Sequence, residues 1–264
     1  MLTPWLRLLR IVNLPTVPGD VFVGAAAAMC WCGSACASAQ DCAMVAIAAV
    51  SSCFLYLFGL VDNDIVGAAT DRGRPIPDGE ISMRAARNAR CICLALGLVP
   101  FAAAGLRPSF DFAALVAVSG FAVALVLAKA IASYNRTKHP SMMGLCRALN
   151  VVLGVSAVVP PLMWPRLAVR APLRACAVAA AVLLWFAYIA AVTKYSEGEE
   201  ADPGRRRRVG MLVGGIVYLQ ISALAALALA FPGVVAVRRL LVAAAAMLVA
   251  LRILRTALPR VSAS

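Results

Sequence analysis

Residues 60–82 read LVDNDIVGAATDRGRPIPDGEIS, placing Asp62, Asp64, Asp71, Asp78 and Glu80 beside Arg72 and Arg74 in a chain that is 63% hydrophobic. A second acid-rich stretch, KYSEGEEADPGRRRR at 194–208, holds Glu197, Glu199, Glu200 and Asp202. Between them the two segments contain nine of the twelve acidic residues. Carboxylate oxygens suit Mg²⁺, which keeps several waters and completes its shell with phosphate oxygens. Guanidinium forks match the same phosphates. Acids, a divalent ion, arginines and a diphosphate therefore form one charge-compensated cluster, and that is the chemistry these residue types predict. Either segment alone also reads as a solvated connecting loop with charges of both signs. Two of them in one membrane chain are harder to dismiss, because acids near a bilayer are costly unless paired, hydrated or metal-bound.

A third polar element, ASYNRTKHPSMMGLCRALN, runs from 132 to 150. Tyr134 and Lys138 are four apart and share a face if the segment is helical. Arg136, Lys138, Arg147 and Asn150 could complete a cationic wall for a phosphate, or could simply snorkel to the membrane surface. Asn13 is a polar group at membrane depth, a functional residue or a hydrogen-bond partner for a neighbouring helix. Of nine cysteines, Cys30, Cys32 and Cys36 are spaced like metal ligands, but they lie in an Ala/Gly-rich run. His139 is the single histidine, so small residues at helix contacts explain these cysteines better than zinc does.

What must position these groups is a membrane bundle. A mean hydropathy of +0.89 with only 14% charged residues is a membrane composition. Apolar runs long enough to cross about 30 Å of hydrocarbon recur near 15–37, 41–61, 91–106, 111–133, 144–163, 174–193, 209–231 and 240–257. The expected architecture is all-α: a polytopic transmembrane helix bundle of about eight to nine spans around a central cavity, with residues 1–264 forming one integral-membrane domain. The first apolar run follows Arg7 and Arg10 directly, which argues against a cleavable leader. A net charge of +13 would suggest nucleic acid in a soluble protein. Here nineteen of the 25 basic residues fall on one side of the alternating spans, as the positive-inside rule requires. The chain is thus expected to bind lipid bilayer and no nucleic acid. Both termini and both acid-rich segments belong on the cytoplasmic face, with a bacterial inner membrane as the default location.

With these residues in view, the chain resembles the UbiA superfamily of intramembrane prenyltransferases. The family motif N-D-x-x-D-x-x-x-D is echoed by NDIVGAATD, Asn63 to Asp71, and the family's R-P-I-P-S-G-x-I-S by RPIPDGEIS, Arg74 to Ser82. Its Y-x-x-x-K motif is met by Tyr134 and Lys138. LRLLRIVNLPTVPGD, with Asn13, resembles the family's opening, and YSEGE, Tyr195 to Glu199, resembles its second acidic motif D-x-E-G-D. Gly67 stands where the first motif has its middle aspartate, and Tyr195 where the second has its leading one.

The resemblance implies Mg²⁺-dependent transfer of a prenyl group from an isoprenyl diphosphate to a hydrophobic or aromatic acceptor in the membrane. It implies that Asp64 and Asp71, aided by Asp62, hold one metal and that Glu197, Glu199 and Glu200 hold another. Asn63, Arg72, Arg74, Arg136, Lys138, Arg147 and Lys194 would bear on the diphosphate, with Tyr134 and Asn13 positioning it. The prenyl tail would lie among residues such as Phe54, Phe58 and Leu149. A CDP-alcohol phosphotransferase would open on D-G-x-x-A-R, which is absent. A transporter or noncatalytic membrane protein would carry ionisable residues deep in several spans, whereas here the charges gather toward one face.

Overall fold

The computed structural model describes residues 2–32, 39–71, 73–106, 111–197, 203–231 and 233–257. Each apolar run becomes a helix. A short α1, Leu2–Leu8, leads through a 3₁₀ turn, Ile11–Thr16, into α2, Pro18–Cys32. There follow α3, Ala39–Val66; α4, Met83–Gly105; α5, Phe112–Thr137; and α6, Pro140–Ser156. The chain continues through a short α7, Trp164–Arg170, to α8, Pro172–Ser196; α9, Pro203–Ala230; and α10, Val235–Ala257. No strand occurs among the described residues. Six helices there are long and apolar enough to cross a membrane, and α6 with α7, bent by 78° at the intervening break, makes a seventh.

Three boundaries differ from the sequence reading, each for a local reason. α3 runs on to Val66, past the end of its apolar run, so that Asp62 and Asp64 are helical. α4 begins at Met83, where Ser82 caps it by accepting a hydrogen bond from the Ala85 N–H, so Arg84, Arg87 and Arg90 lie in the helix and not in a loop. The fifth run breaks at Pro160 and Pro161, since proline cannot continue the α6 hydrogen-bond ladder.

α2 is the hub. It is apolar around most of its circumference and is buried from Pro18 to Ala26 with the exception of Phe22, as a helix without a polar face must be. It packs on α3, α6, α8, α9 and α10, while α3, α4 and α5 pack on one another beside it. The α2–α6 approach is a backbone contact. A Cβ on Gly24 would lie 2.0 Å from the Val151 carbonyl oxygen, and one on Gly154 2.0 Å from that of Val21. Small residues permit such approaches where lipid offers no hydrophobic drive between helices. α8, in contrast, buries only Ile189 and Val192 and presents Leu183 and Leu184 outward.

A buried polar network locks the hub. Asp20, in the first turn of α2, is fully buried. Its Oδ2 meets Arg147 Nη1 of α6 at 3.1 Å, and its Oδ1 accepts a hydrogen bond from Gln220 Nε2 of α9 at 2.8 Å. Asn150 of α6 donates to the Val17 carbonyl and accepts from Ser52 of α3 at 2.6 Å. The Asp20 carboxylate thereby joins α2, α6 and α9, and Asn150 adds α3. Replacing Asp20 by Ala strands Arg147 and should destabilise the fold by about 3–5 kcal/mol, the usual cost of breaking a buried pair. Gln220→Ala should cost less, about 1–3 kcal/mol for one lost buried partner. Thermal melts in detergent check the ranking, and a smaller loss in Asp20→Ala than in Gln220→Ala would contradict it.

Candidate functional site

The NDIVGAATDRGRPIPDGEIS segment spans the end of α3 and the turn into α4. In a helix, residues two apart point about 200° from one another, so Asp62 and Asp64 face opposite ways. Asp62 faces inward. Its Oδ1 accepts from Arg90 Nη1 of α4 at 3.1 Å and its Oδ2 from Asn135 Nδ2 of α5 at 2.9 Å. Both oxygens are engaged in joining α3, α4 and α5, which departs from the expectation that Asp62 supports a metal. Asp64 faces the turn. Its Oδ1 lies 2.9 Å from Arg74 Nη1, and that same nitrogen is 3.0 Å from Asp71 Oδ2. Two carboxylates from different parts of the chain thus converge on one cationic atom.

The turn holds Arg74 in place. Gly73 and Gly79 take φ of 72° and 76°, a left-handed backbone that favours glycine. Asp78 accepts from the Gly73 N–H at 3.1 Å, and the Ile81 N–H donates to the Pro75 carbonyl at 3.0 Å. Ile76 and Ile81 are buried against Leu8, Val61 and Ala86, and Glu80 pairs with Arg7 at 2.9 Å. RPIPDGEIS is therefore a folded plug. Asp78 and Glu80 build it, so of the five acids in the segment only Asp64 and Asp71 face each other.

Tyr134 and Lys138 close the site from the end of α5. Lys138 ends the helix in a left-handed conformation, φ 53°, and its Nζ donates to Asn63 Oδ1. That nitrogen lies 5.8 Å from the Tyr134 ring centre, a cation–π distance. The residue is exposed as a whole, but its ammonium end is turned inward. Loss of solvent there, with the Arg74 guanidinium close by, holds its pKa below the ordinary lysine value.

Several expected site residues lie elsewhere. Arg147 is committed to Asp20, so its charge is already compensated. Arg136 is exposed at the end of α5, and Asn13 is half-buried with its carbonyl accepting from Thr16 Oγ1 at 2.8 Å. Lys194 pairs with Glu197 at 2.7 Å, both largely exposed. Arg72, Glu199 and Glu200 lie outside the described residues. Gly144, early in α6, packs on Phe186 and Ala190 of α8, the helix that leads to Lys194 and Glu197.

Sequence reasoning missed four participants. Asp20 had a signal, because an ionisable residue inside an apolar run is a functional candidate by default. Asn135 and Arg90, the partners of Asp62, had none. Arg10 was read only as topology. The structure holds it left-handed, φ 40°, at the junction before the 3₁₀ turn, close enough for its charge to act on Asp64, Tyr56 and Tyr134.

Whether these side chains suit a divalent metal can be judged from Asp64 and Asp71. Their oxygens already gather about one cation, and two carboxylates completed by water and phosphate oxygens are a common Mg²⁺ environment. Among the described residues no group of three or more His, Cys, Asp or Glu converges. The arrangement fits a metal held by two carboxylates and finished by its ligand.

No protein-family model and no curated protein sequence matches the chain. Solved structures do. A UbiA homologue from Archaeoglobus fulgidus bound to GPP and Mg²⁺ aligns over 96% of this chain and 88% of its own, with 19% identity and a TM-score of 0.51. The same homologue bound to DMAPP and Mg²⁺ aligns over the same shares at 19% identity, with a TM-score of 0.50. A digeranylgeranylglyceryl phosphate synthase aligns over 98% of this chain and 97% of its own at 15% identity, TM-score 0.48. The described helices follow the fold of the Archaeoglobus homologue across almost the whole chain: this is a UbiA-type intramembrane bundle.

Proposed function

We propose that the chain is an intramembrane prenyltransferase, moving the prenyl group of an isoprenyl diphosphate to a membrane-associated acceptor and releasing diphosphate. The observation that carries the reading is the convergence of Asp64 and Asp71 on Arg74, 2.9 and 3.0 Å from one nitrogen. The Archaeoglobus homologue, solved with GPP or DMAPP and Mg²⁺, supports it. In the reaction the allylic carbon–oxygen bond breaks and its electron pair leaves with diphosphate. The acceptor's nucleophilic atom bonds to the prenyl carbon and gives up a proton. Mg²⁺, held by Asp64 and Asp71, would supply the Lewis acidity that makes diphosphate an adequate leaving group. Arg74 and Lys138 add donors to the leaving oxygens where charge develops. Asn63 and Tyr134 orient Lys138. The surrounding apolar helices keep water from the allylic cation.

On this reading the site end of the bundle faces the cytoplasm, consistent with the positive-inside distribution, and residues 1–264 act as one domain of an inner-membrane protein. A second reading, a diverged noncatalytic membrane protein, is favoured by one observation: Asp62, Asp64 and Asp71 are each paired with a guanidinium group.

The readings part on two measurements with the purified full chain. Diphosphate release from labelled prenyl diphosphates should require Mg²⁺. Asp64→Asn should slow it by about 10²–10³-fold, as expected for removing a charge-stabilising group, while Arg170→Ala on exposed α7 leaves it intact. Equal rates in chelator, or equal losses in the two variants, would support the noncatalytic reading. Lys138 supplies a pH dependence whose sign is fixed. Its cation is the form that binds an anion, so pyrophosphate affinity should be full below its lowered pKa and fall as pH rises through it. Calorimetric titration of pyrophosphate should show that fall at lower pH than for Lys138→Arg. Coincident profiles would remove Lys138 from the anion site.

A further inference from the structure

Asp64 and Gly67 are three apart at the end of α3, so a side chain at 67 would stand directly beside Asp64 on the same helix face. Position 67 has no side chain, and Asp71 fills the space. The Asp71 N–H donates to the Gly67 carbonyl at 2.8 Å, folding the chain back by one turn. A Cβ placed on Gly67 would lie 2.4 Å from Asp71 Oδ2, 2.8 Å from its Cγ and 3.1 Å from its Oδ1. The carboxylate of Asp71 therefore occupies the volume that the first atoms of a side chain at 67 would take. It is from this position that Asp71 Oδ2 reaches the Arg74 nitrogen shared with Asp64.

The backbone of Gly67 does not explain its identity. The positive-φ glycines among the described residues are Gly73 and Gly79, so residue 67 has no need of glycine's conformational freedom. What is used there is the missing Cβ.

We propose that Gly67 is a positioning residue: it is the niche that lets Asp71, one turn further along, deliver beside Asp64 the carboxylate that α3 does not itself carry at that level. This rests on the metal–diphosphate reading of the Asp64–Asp71 pair and specifies how the second ligand of that pair is placed. The niche also makes the pair depend on the turn, because Asp71 reaches it only while the 67–71 backbone closure holds.

The steric argument separates this role from a structural one. The atoms a new Cβ would meet are the far end of a flexible side chain, and Ala is a better helix former than Gly by about 1 kcal/mol. Gly67→Ala should therefore fold with an unchanged or raised melting temperature while pushing the Asp71 carboxylate away. Mn²⁺ binding, followed by electron paramagnetic resonance on the detergent-solubilised full chain with inorganic pyrophosphate present, should weaken by about 10–100-fold, the range for disturbing a ligand's placement. Asp71→Ala should lose at least as much. The double variant Gly67→Asp with Asp71→Ala, which restores a carboxylate from the helix itself, should recover most of that loss.

An unchanged Mn²⁺ affinity in Gly67→Ala would overturn the niche, as would a double variant binding no better than Asp71→Ala. If the unaltered chain bound no Mn²⁺, the metal–diphosphate reading would fall and this proposal with it. The two failures are distinguished by the wild-type titration alone.

Discussion

An ionised carboxylate in an apolar bundle must be met by a cation or by several donors, and three acids among the described residues lie that deep. Asp20, Asp62 and Asp64 are all buried. Desolvating each costs several kcal/mol, recovered only where the geometry of the pair is good. Each is answered from a different helix or turn: Asp20 by Arg147 and Gln220, Asp62 by Arg90 and Asn135, Asp64 by Arg74. These demands fix what packs on what. The first ties α2 to α6 and α9, the second ties α3 to α4 and α5, and the third ties the end of α3 to the turn that follows it. Apolar helices in lipid pack by shape alone, and shape tolerates sliding. The charged pairs do not, so they set the register of the bundle.

Register matters here because the site is assembled at helix ends. Asp64 is near the last residue of α3, Tyr134 and Lys138 close α5, and Arg74 sits in the turn before α4. A slide of one turn, about 5.4 Å, would separate Lys138 from Asn63 and put Arg74 out of reach of Asp64. The Asp62–Arg90–Asn135 junction lies one helical half-turn from Asp64 and clamps the same three helices. Its contribution is therefore positional: Asp62 holds α3, α4 and α5 in the register that brings Asp64 to Arg74.

The spans and the grouping of Asp64, Asp71 and Arg74 were legible in the sequence, since apolar runs and a dense charged segment are local signals. The pairing of Tyr134 with Lys138 followed from helical spacing. What escaped was governed by phase and by distance along the chain. Nothing in DND announces which aspartate faces inward; that depends on α3 continuing to Val66, beyond its apolar run. That Asp78 and Glu80 build the turn was also hidden, because composition does not separate an acid that builds a turn from one that lines a site. Arg147 was assigned to a phosphate because its partner, Asp20, lies on the far side of three helices in sequence and beside it in space. Gly67 reads as a missing carboxylate in the sequence, whereas its physical meaning appears only with the fold of residues 67–71.

Arg74 bears the greatest constraint in the site. Two carboxylates drawn together without a cation would repel, and one would take up a proton. Arg74 stands between the two with a single nitrogen, Nη1. A guanidinium carries five N–H donors in a planar fork and does not deprotonate in proteins. Shared use of one nitrogen leaves the rest of the fork available to an anion, so the group that pairs with both Asp64 and Asp71 could also meet phosphate oxygens. A lysine could satisfy the two acids but would have little left to offer outward, since its three donors radiate from one atom. That difference is why the turn carrying Arg74 is built so firmly, with two left-handed glycines, two buried isoleucines and an ion pair to Arg7. The direction in which the fork points is the variable on which both functions rest.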